Sequence, residues 1–194
     1  MCIRDRPLGI AHPRLRENIV DFDRPETWRE HPAVDDVYCC LGTTMKKAGS
    51  REAFCRVDYD YPVGIAREAS RKGAARFLVV SAIGADPGSR VYYSRVKGEM
   101  ENAVRAFSFR AVNIFRPSLL LGARSETRIL EGIGRFASRV VTPLMIGKLK
   151  KYRPIEAAVL AWAMVRVATE EIEGRVFESH EIQQWYDRRD QVPG

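Results

Sequence analysis

Short apolar strand signals alternate with helical segments of ten or more residues along this chain. That alternation limits the folds open to it more than any other feature. The strand signals lie at 18–22 (NIVDF), 36–41 (DVYCCL), 76–81 (RFLVVS), 111–115 (AVNIF) and, more briefly, 175–178. The run at 76–81 is almost continuously apolar, as in a strand of a parallel sheet covered on both faces. Ser50 fits the N-cap of a helix that runs to about Arg71, with Gly73 as its stop signal and Pro62 as an expected kink or break. A second helix is expected from 91 to 107, where Val96, Met100, Val104 and Phe107 recur at three-to-four spacing. Residues 126–140 and 155–171 also read as helical. This order predicts βαβ units joined by right-handed crossovers. The expected fold class is α/β, a Rossmann-like doubly wound parallel sheet, in one domain covering residues 7–194.

Composition excludes several classes. With 45% hydrophobic and 29% charged residues the chain has a globular balance rather than a disordered or fibrous one. Its longest apolar stretch, 157–168, is interrupted by Arg166 and falls short of the roughly 18 residues of a membrane span, so no membrane partner is expected. The formal charge of +7 is spread along the chain. A nucleic-acid footprint concentrates on one face or segment, so none is expected. The one tight basic cluster, Lys148, Lys150, Lys151 and Arg153, reads either as an anion site or as solvated surface. Cys2, Cys39, Cys40 and Cys55 contain no C-x-x-C and no zinc spacing to His12, His31 or His180, so no metal is expected. Adjacent Cys39 and Cys40 are expected to pack as small hydrophobes. Cysteine usage of this kind suggests a reducing, cytoplasmic setting. The remaining expectation is a small-molecule substrate and a monomer or homodimer.

In open parallel sheets, ligands bind beyond the C-terminal strand ends. This rule selects Gly42, Thr43 and Thr44 after one strand, Ser81 after the next, and Arg116, Pro117 and Ser118 after a third. Ten residues beyond the Ser81 strand a helix begins that carries Tyr93 and Lys97, four apart and therefore on one face. An ammonium there is expected to lower the phenol's pKa. A phenol so tuned can exchange a proton with a carbonyl or alcohol oxygen held by Ser81, beside a nicotinamide. Spacing alone leaves a second reading open, a half-buried aromatic beside a solvated lysine.

The order VYCCLGTT (37–44), RVDYDYPVGIAREA (56–69), RFLVVSAIGAD (76–86), YYSRVKGEME (92–101) and FRPSLLLG (115–122) resembles the short-chain dehydrogenase/reductase superfamily. Within it, the chain is most similar to the atypical branch that includes the mammalian Tat-interacting protein and bacterial NAD(P)-binding oxidoreductases. The likeness extends over residues 7–180. It implies Tyr93 as acid/base, Lys97 as the ligand of the nicotinamide ribose and Ser81 as the group that orients the substrate oxygen. Gly42, Thr43 and Thr44 would line the adenosine and diphosphate side. Asp21 and Phe22 would flank the adenine, and Arg116, Pro117 and Ser118 would border the nicotinamide end. Asp58 stands where many relatives carry asparagine, so no catalytic asparagine is implied. NADP is the implied cofactor, with NAD possible. Residues 145–154 would cover the nicotinamide side, with Tyr152 or Ile155 near the substrate, unless they form a basic surface turn.

A dinucleotide-binding half should open with strand, glycine-rich turn and helix. No such element precedes residue 18. The formal G-x-G-x-x-A at 132–137 lacks a leading strand. Residues 1–6 read as a doubtful leader in place of a first strand–helix–strand unit. The sheet is then expected to leave 36–41 as an unpaired apolar edge and 18–22 without a neighbour, and cofactor binding is expected to be weak. The implied activity is NAD(P)H-dependent oxidoreduction of a small carbonyl or alcohol. The alternatives are an NADPH-binding regulatory protein with little turnover and a sugar-nucleotide epimerase or dehydratase. The roughly 70 residues beyond Arg116 leave little room for a nucleotide-sugar domain.

Overall fold

In the computed structural model, which describes residues 1–121 and 152–188, the apolar run becomes strand β4 (Arg76–Val80). Its alternate side chains serve two cores. Phe77 and Val79 pack on one face of the sheet, and Leu78 on the other. β4 lies between β3 (Asp36–Cys39) and β5 (Ala111–Arg116), and β8 (Val176–Glu178) follows on the far side of β5. All three pairings are parallel, with Val37 opposite Phe77, Val79 opposite Ile114 and Phe115 opposite Phe177.

Helices cover both faces, so the sheet is doubly wound. Helices α4 (Tyr61–Arg71) and α5 (Tyr92–Arg105) bury Val63, Ala66, Met100 and Val104 on the Phe77 face. Helices α6 (Ala157–Thr169) and α7 (Ser179–Asp187) bury Leu160, Ala163, Val167 and Ile182 against Leu78 and Phe115. Phe115 and Phe177 stack across the β5–β8 pair, with centroids 4.9 Å apart. No helix among the described residues is long and apolar enough to cross a membrane.

The helix expected from Ser50 runs as three joined pieces. The Ser50 hydroxyl accepts the Ala53 N–H at 3.1 Å and opens α3 (Arg51–Cys55), which passes into a π-helical turn (Arg56–Asp60) and then into α4. Pro62 therefore neither breaks nor ends the helix. It occupies the first turn of α4, where a missing N–H costs little. Just before it, the Tyr61 N–H bonds the Arg56 carbonyl five residues back. Gly73, at φ +81°, provides the stop. Ser50→Ala is expected to lower stability by about 1 kcal/mol; urea unfolding with an unchanged slope would register it as a shifted midpoint.

Other expectations need correcting. Strand β2 (Glu17–Ile19) does have a neighbour: it pairs in parallel with β1 (Cys2–Arg4), which falls within the segment read as a leader. Cys39 is buried but Cys40 is exposed, because neighbouring side chains at the end of a strand point to opposite sides. The stretch 155–171 begins as strand β7 (Ile155–Glu156), paired with β6 (Leu120–Leu121), before turning helical. Ile155 is thereby core, and Tyr152 is exposed. β3 does stand at the edge of its sheet. The expected helix at 126–140, the sequence at 132–137 and Lys148, Lys150 and Lys151 lie outside the described residues.

Candidate active site

Because the four main strands run parallel, their C-terminal ends deliver the turn at 42–44, Ser81, Arg116 and Glu178 to one edge of the sheet. Helix α5 starts above that edge. Tyr93, Lys97 and Glu101 follow one another at four-residue intervals and form a single stripe along it. Tyr93 is half-buried, its ring 5.3 Å from that of fully buried Phe54. Lys97 is only 3% exposed, which excludes the reading of a solvated helix charge.

What buries the lysine is Asp58, on the π-helical turn. Its Oδ1 lies 2.7 Å from Lys97 Nζ, and its Oδ2 accepts the Thr43 N–H at 2.8 Å. Gly42 lies against this pair. A Cβ there would come within 3.3 Å of Asp58 Oδ1 and 3.7 Å of Lys97 Nζ. The Tyr93 phenol is pushed up from its ordinary pKa, first by burial and then by the Asp58 charge. The expected lowering by Lys97 is thus not what the site shows: burial outweighs it, and a carboxylate opposes the ammonium at contact distance.

A second buried network adjoins the first. The Ser81 hydroxyl donates to Glu101 Oε1 at 2.5 Å. Glu101 also accepts two bonds from Arg116, at 2.9 Å from Nε and 2.6 Å from Nη2, and Arg116 Nη1 lies 3.5 Å from Glu178 Oε1. The Ser81 proton, expected to orient a substrate oxygen, is engaged by Glu101 here. The two carboxylates hold the Arg116 guanidinium above its ordinary pKa. The bidentate fork ties the ends of β4 and β5 to α5.

The remaining expected residues sit around these two networks. Thr44 caps α2 (Met45–Ala48), its hydroxyl accepting the Lys47 N–H at 3.2 Å. The Phe22 ring stacks on Tyr61 at 5.5 Å, three residues beyond Asp58, while Asp21 accepts the Asp23 N–H at 3.0 Å in a local turn. Pro117 is buried and its carbonyl accepts the Ile83 N–H at 3.1 Å. Ser118 donates to the Arg153 carbonyl and lies 3.2 Å from the Ser179 hydroxyl. The structure thus joins Tyr93, Lys97, Gly42 and Thr43 through Asp58. It joins Ser81 to Arg116 through Glu101, and leaves Asp21 and Phe22 at the start of α4. Sequence reasoning missed Asp58, Glu101 and Glu178 as site residues. Glu101 was detectable as the next four-residue step after Lys97.

No protein-family model matches the chain. Among curated proteins it is 38% identical over 126 residues to the protein HTATIP2 of Rattus norvegicus, covering 64% of this chain and 52% of that one. It is 34% identical over 128 residues to the mitochondrial protein FMP52 of Coccidioides immitis, covering 63% and 52%. Against fmp52 of Aspergillus clavatus the identity is 34% over 175 residues, covering 88% and 74%. The chain therefore spans about half the length of the first two relatives. Among solved structures, MoeE5 in complex with UDP-glucose and NAD superposes with a TM-score of 0.65 at 13% identity, over 97% of this chain and 73% of that one. A short-chain dehydrogenase/reductase superfamily protein of Agrobacterium tumefaciens with bound NAD gives 0.63 at 12% identity, over 91% and 69%. RMD of Pseudomonas aeruginosa complexed with NADPH gives 0.60 at 14%, over 93% and 74%. These likenesses to solved structures concern the fold. The curated relatives overturn the cytoplasmic expectation, since FMP52 of Coccidioides immitis, Emericella nidulans and Eremothecium gossypii is named mitochondrial. The expectation rested on cysteine usage, which does not separate the cytosol from a reducing organelle interior.

Proposed function

The chain belongs to the short-chain dehydrogenase/reductase superfamily, in the atypical branch of the HTATIP2 and FMP52 proteins, and from that membership we propose that it is an NAD(P)-dependent oxidoreductase of small carbonyls or alcohols. One juxtaposition carries the reading: Tyr93 and Lys97 share a face of α5 at the C-terminal sheet edge, with Lys97 buried against Asp58 and beside the 42–44 turn. A nicotinamide dinucleotide, when bound, supplies or accepts the hydride. Tyr93 gives the carbonyl oxygen its proton in reduction and takes it back in oxidation. A phenol held protonated by burial suits the reducing direction at neutral pH.

Lys97 is assigned to the nicotinamide ribose, and the backbone of Gly42, Thr43 and Thr44 to the adenosine and diphosphate side. Asp21 and Phe22 flank the adenine, and Arg116, Pro117 and Ser118 border the nicotinamide end. Ser81, with its hydroxyl spent on Glu101, supports that border from behind. An ammonium, a phenol and a glycine turn at one edge suit the ribose end of such a cofactor. Among the described residues no glycine-rich turn leads from a strand into a long helix, so fewer donors are assigned to the diphosphate. Affinity for NADPH is therefore expected to be weak; tight binding in a fluorescence titration would overturn this assignment.

The activity is tested by following NADPH and NADH absorbance over a panel of small aldehydes and ketones, with a UDP-sugar included. Carbonyl-dependent oxidation of the cofactor supports the oxidoreductase. Cofactor binding without turnover across the panel overturns it in favour of an NADPH-binding regulatory protein. That second reading is favoured by the engaged hydroxyl of Ser81. Isomerisation of the UDP-sugar without net cofactor consumption overturns both in favour of an epimerase.

A further inference from the structure

We infer that Asp58 is a positioning residue: its single carboxylate fixes the Lys97 ammonium and the 42–44 turn relative to each other, and opposes the lysine's charge beside Tyr93. The inference rests on the reading above for the roles of Tyr93 and Lys97, and goes beyond it in giving that pair a third member on another element.

The Asp58 carboxylate is fully buried, and its two oxygens serve two different partners, Lys97 Nζ at 2.7 Å and the Thr43 N–H at 2.8 Å. Stability does not account for the arrangement. A buried ion pair is often no more stable than apolar side chains of the same volume. The π-helical turn that presents the carboxylate is itself an uncommon conformation that recurs at functional sites. Two costly features therefore coincide, and both aim one carboxylate at one lysine. Gly42 lets the turn rest directly on the pair, since any side chain there would meet both charged groups. A displacement of the turn thus pulls on the carboxylate that holds the lysine.

The charge that acts on Tyr93 is Asp58, on the π-helical turn, while Lys97 stands one turn along α5 from the phenol. Cys55 and Glu52, on α3, act on neighbouring Tyr92 instead. An ammonium alone would favour the ionised phenol. Paired with Asp58, it leaves Tyr93 with burial and a nearby carboxylate, both of which keep the proton on. Asp58 thereby adds to the hold that burial already has on the Tyr93 proton, and offsets the charge by which Lys97 would release it.

The test is an NMR titration of carbon-13-labelled tyrosine in the unliganded chain, with the Tyr93 resonance identified by its loss in Tyr93→Phe. Asp58→Asn keeps the volume and an acceptor for the Thr43 N–H. Tyr93 is expected to ionise at lower pH in this variant than in the wild type. In Lys97→Met, which leaves the carboxylate uncompensated, it is expected to ionise at higher pH. The double variant, with neither charge of the pair left, is expected to return toward the wild-type value. If Asp58→Asn fails to fold, Lys97→Met and the double variant carry the same comparison. Identical titration of Tyr93 in the wild type and the folded variants overturns the inference. No cofactor or substrate enters the measurement, so an inactive protein with a shifted titration overturns the enzymatic reading alone. An active protein with an unmoved titration overturns the role of Asp58 alone.

Discussion

Tyr93→Phe is expected to lower carbonyl reduction by about 10²–10⁴-fold, the range contributed by a positioned general acid. The expected loss falls on kcat, with cofactor affinity little changed, because the assigned cofactor contacts lie on Lys97 and the 42–44 turn. The substitution keeps the ring that packs 5.3 Å from Phe54 and removes only the hydroxyl. Stability is therefore expected to stay within about 0.5–1 kcal/mol of the wild type. Steady-state kinetics beside a fluorescence titration of NADPH separates the two quantities. Unchanged turnover in the variant would remove Tyr93 from the chemistry. A parallel loss of affinity and fold would make it a packing residue.

Gly98→Ala is expected to destabilise the protein by about 1–3 kcal/mol or more, as overpacking of a close contact does. Glycine sits there in the middle of α5, where alanine would ordinarily be the better helix former by about 1 kcal/mol. Here the sign is reversed by the neighbour. An added Cβ would stand 2.3 Å from Pro87 N, 2.4 Å from the Asp86 carbonyl carbon and 2.6 Å from Pro87 Cδ. Two of these are backbone atoms, and the Asp86 N–H is tied to the Ser94 carbonyl at 3.0 Å, one residue after Tyr93. Relief requires the 82–88 loop to lift from the helix that carries the site. Urea unfolding should show the loss. Gly64→Ala makes the control, since its Cβ meets only the edge of the Trp28 ring at 3.3 Å. Equal midpoints for Gly98→Ala and the wild type would contradict this contact.

Much of the fold is legible in the sequence because its signals are local. The run at 76–81 is apolar on both faces, so it becomes β4 between two cores. Ser50 and Gly73 act through bonds and torsions within a few residues of themselves, and they delimit the helical segment as expected. Tyr93 and Lys97 are legible because helical spacing places them on one face. The fate of the charges is not legible in this way. Asp58 meets Lys97 across 39 residues and Ser81 meets Glu101 across 20. Burial of a carboxylate depends on partners from other elements, and nothing in the adjoining residues marks it. Hence the phenol was expected to shift down and shifts up, and a serine expected to face substrate faces a glutamate. Pro62 misled for a related reason. Its cost depends on where a helical turn begins, and the widened turn ahead of it moves that beginning. Cys39 and Cys40 look alike as letters, yet the strand end separates a buried thiol from an exposed one.

The widened turn at Arg56–Asp60 also sets the phase of everything after it. An ordinary α-helix locks each side chain about 100° from its predecessor, so the face presented by Phe54 would dictate the face presented by Val63 and Ala66. The extra residue taken up in the π-helical turn releases that lock. The upstream piece keeps Phe54 under Tyr93, while the downstream piece independently sets its small side chains against the sheet. Removing one residue from the turn is therefore expected to act like slipping a tooth on a gear. The helix would survive, but its two halves would demand incompatible rotations, and either the sheet or Asp58 would lose its partner.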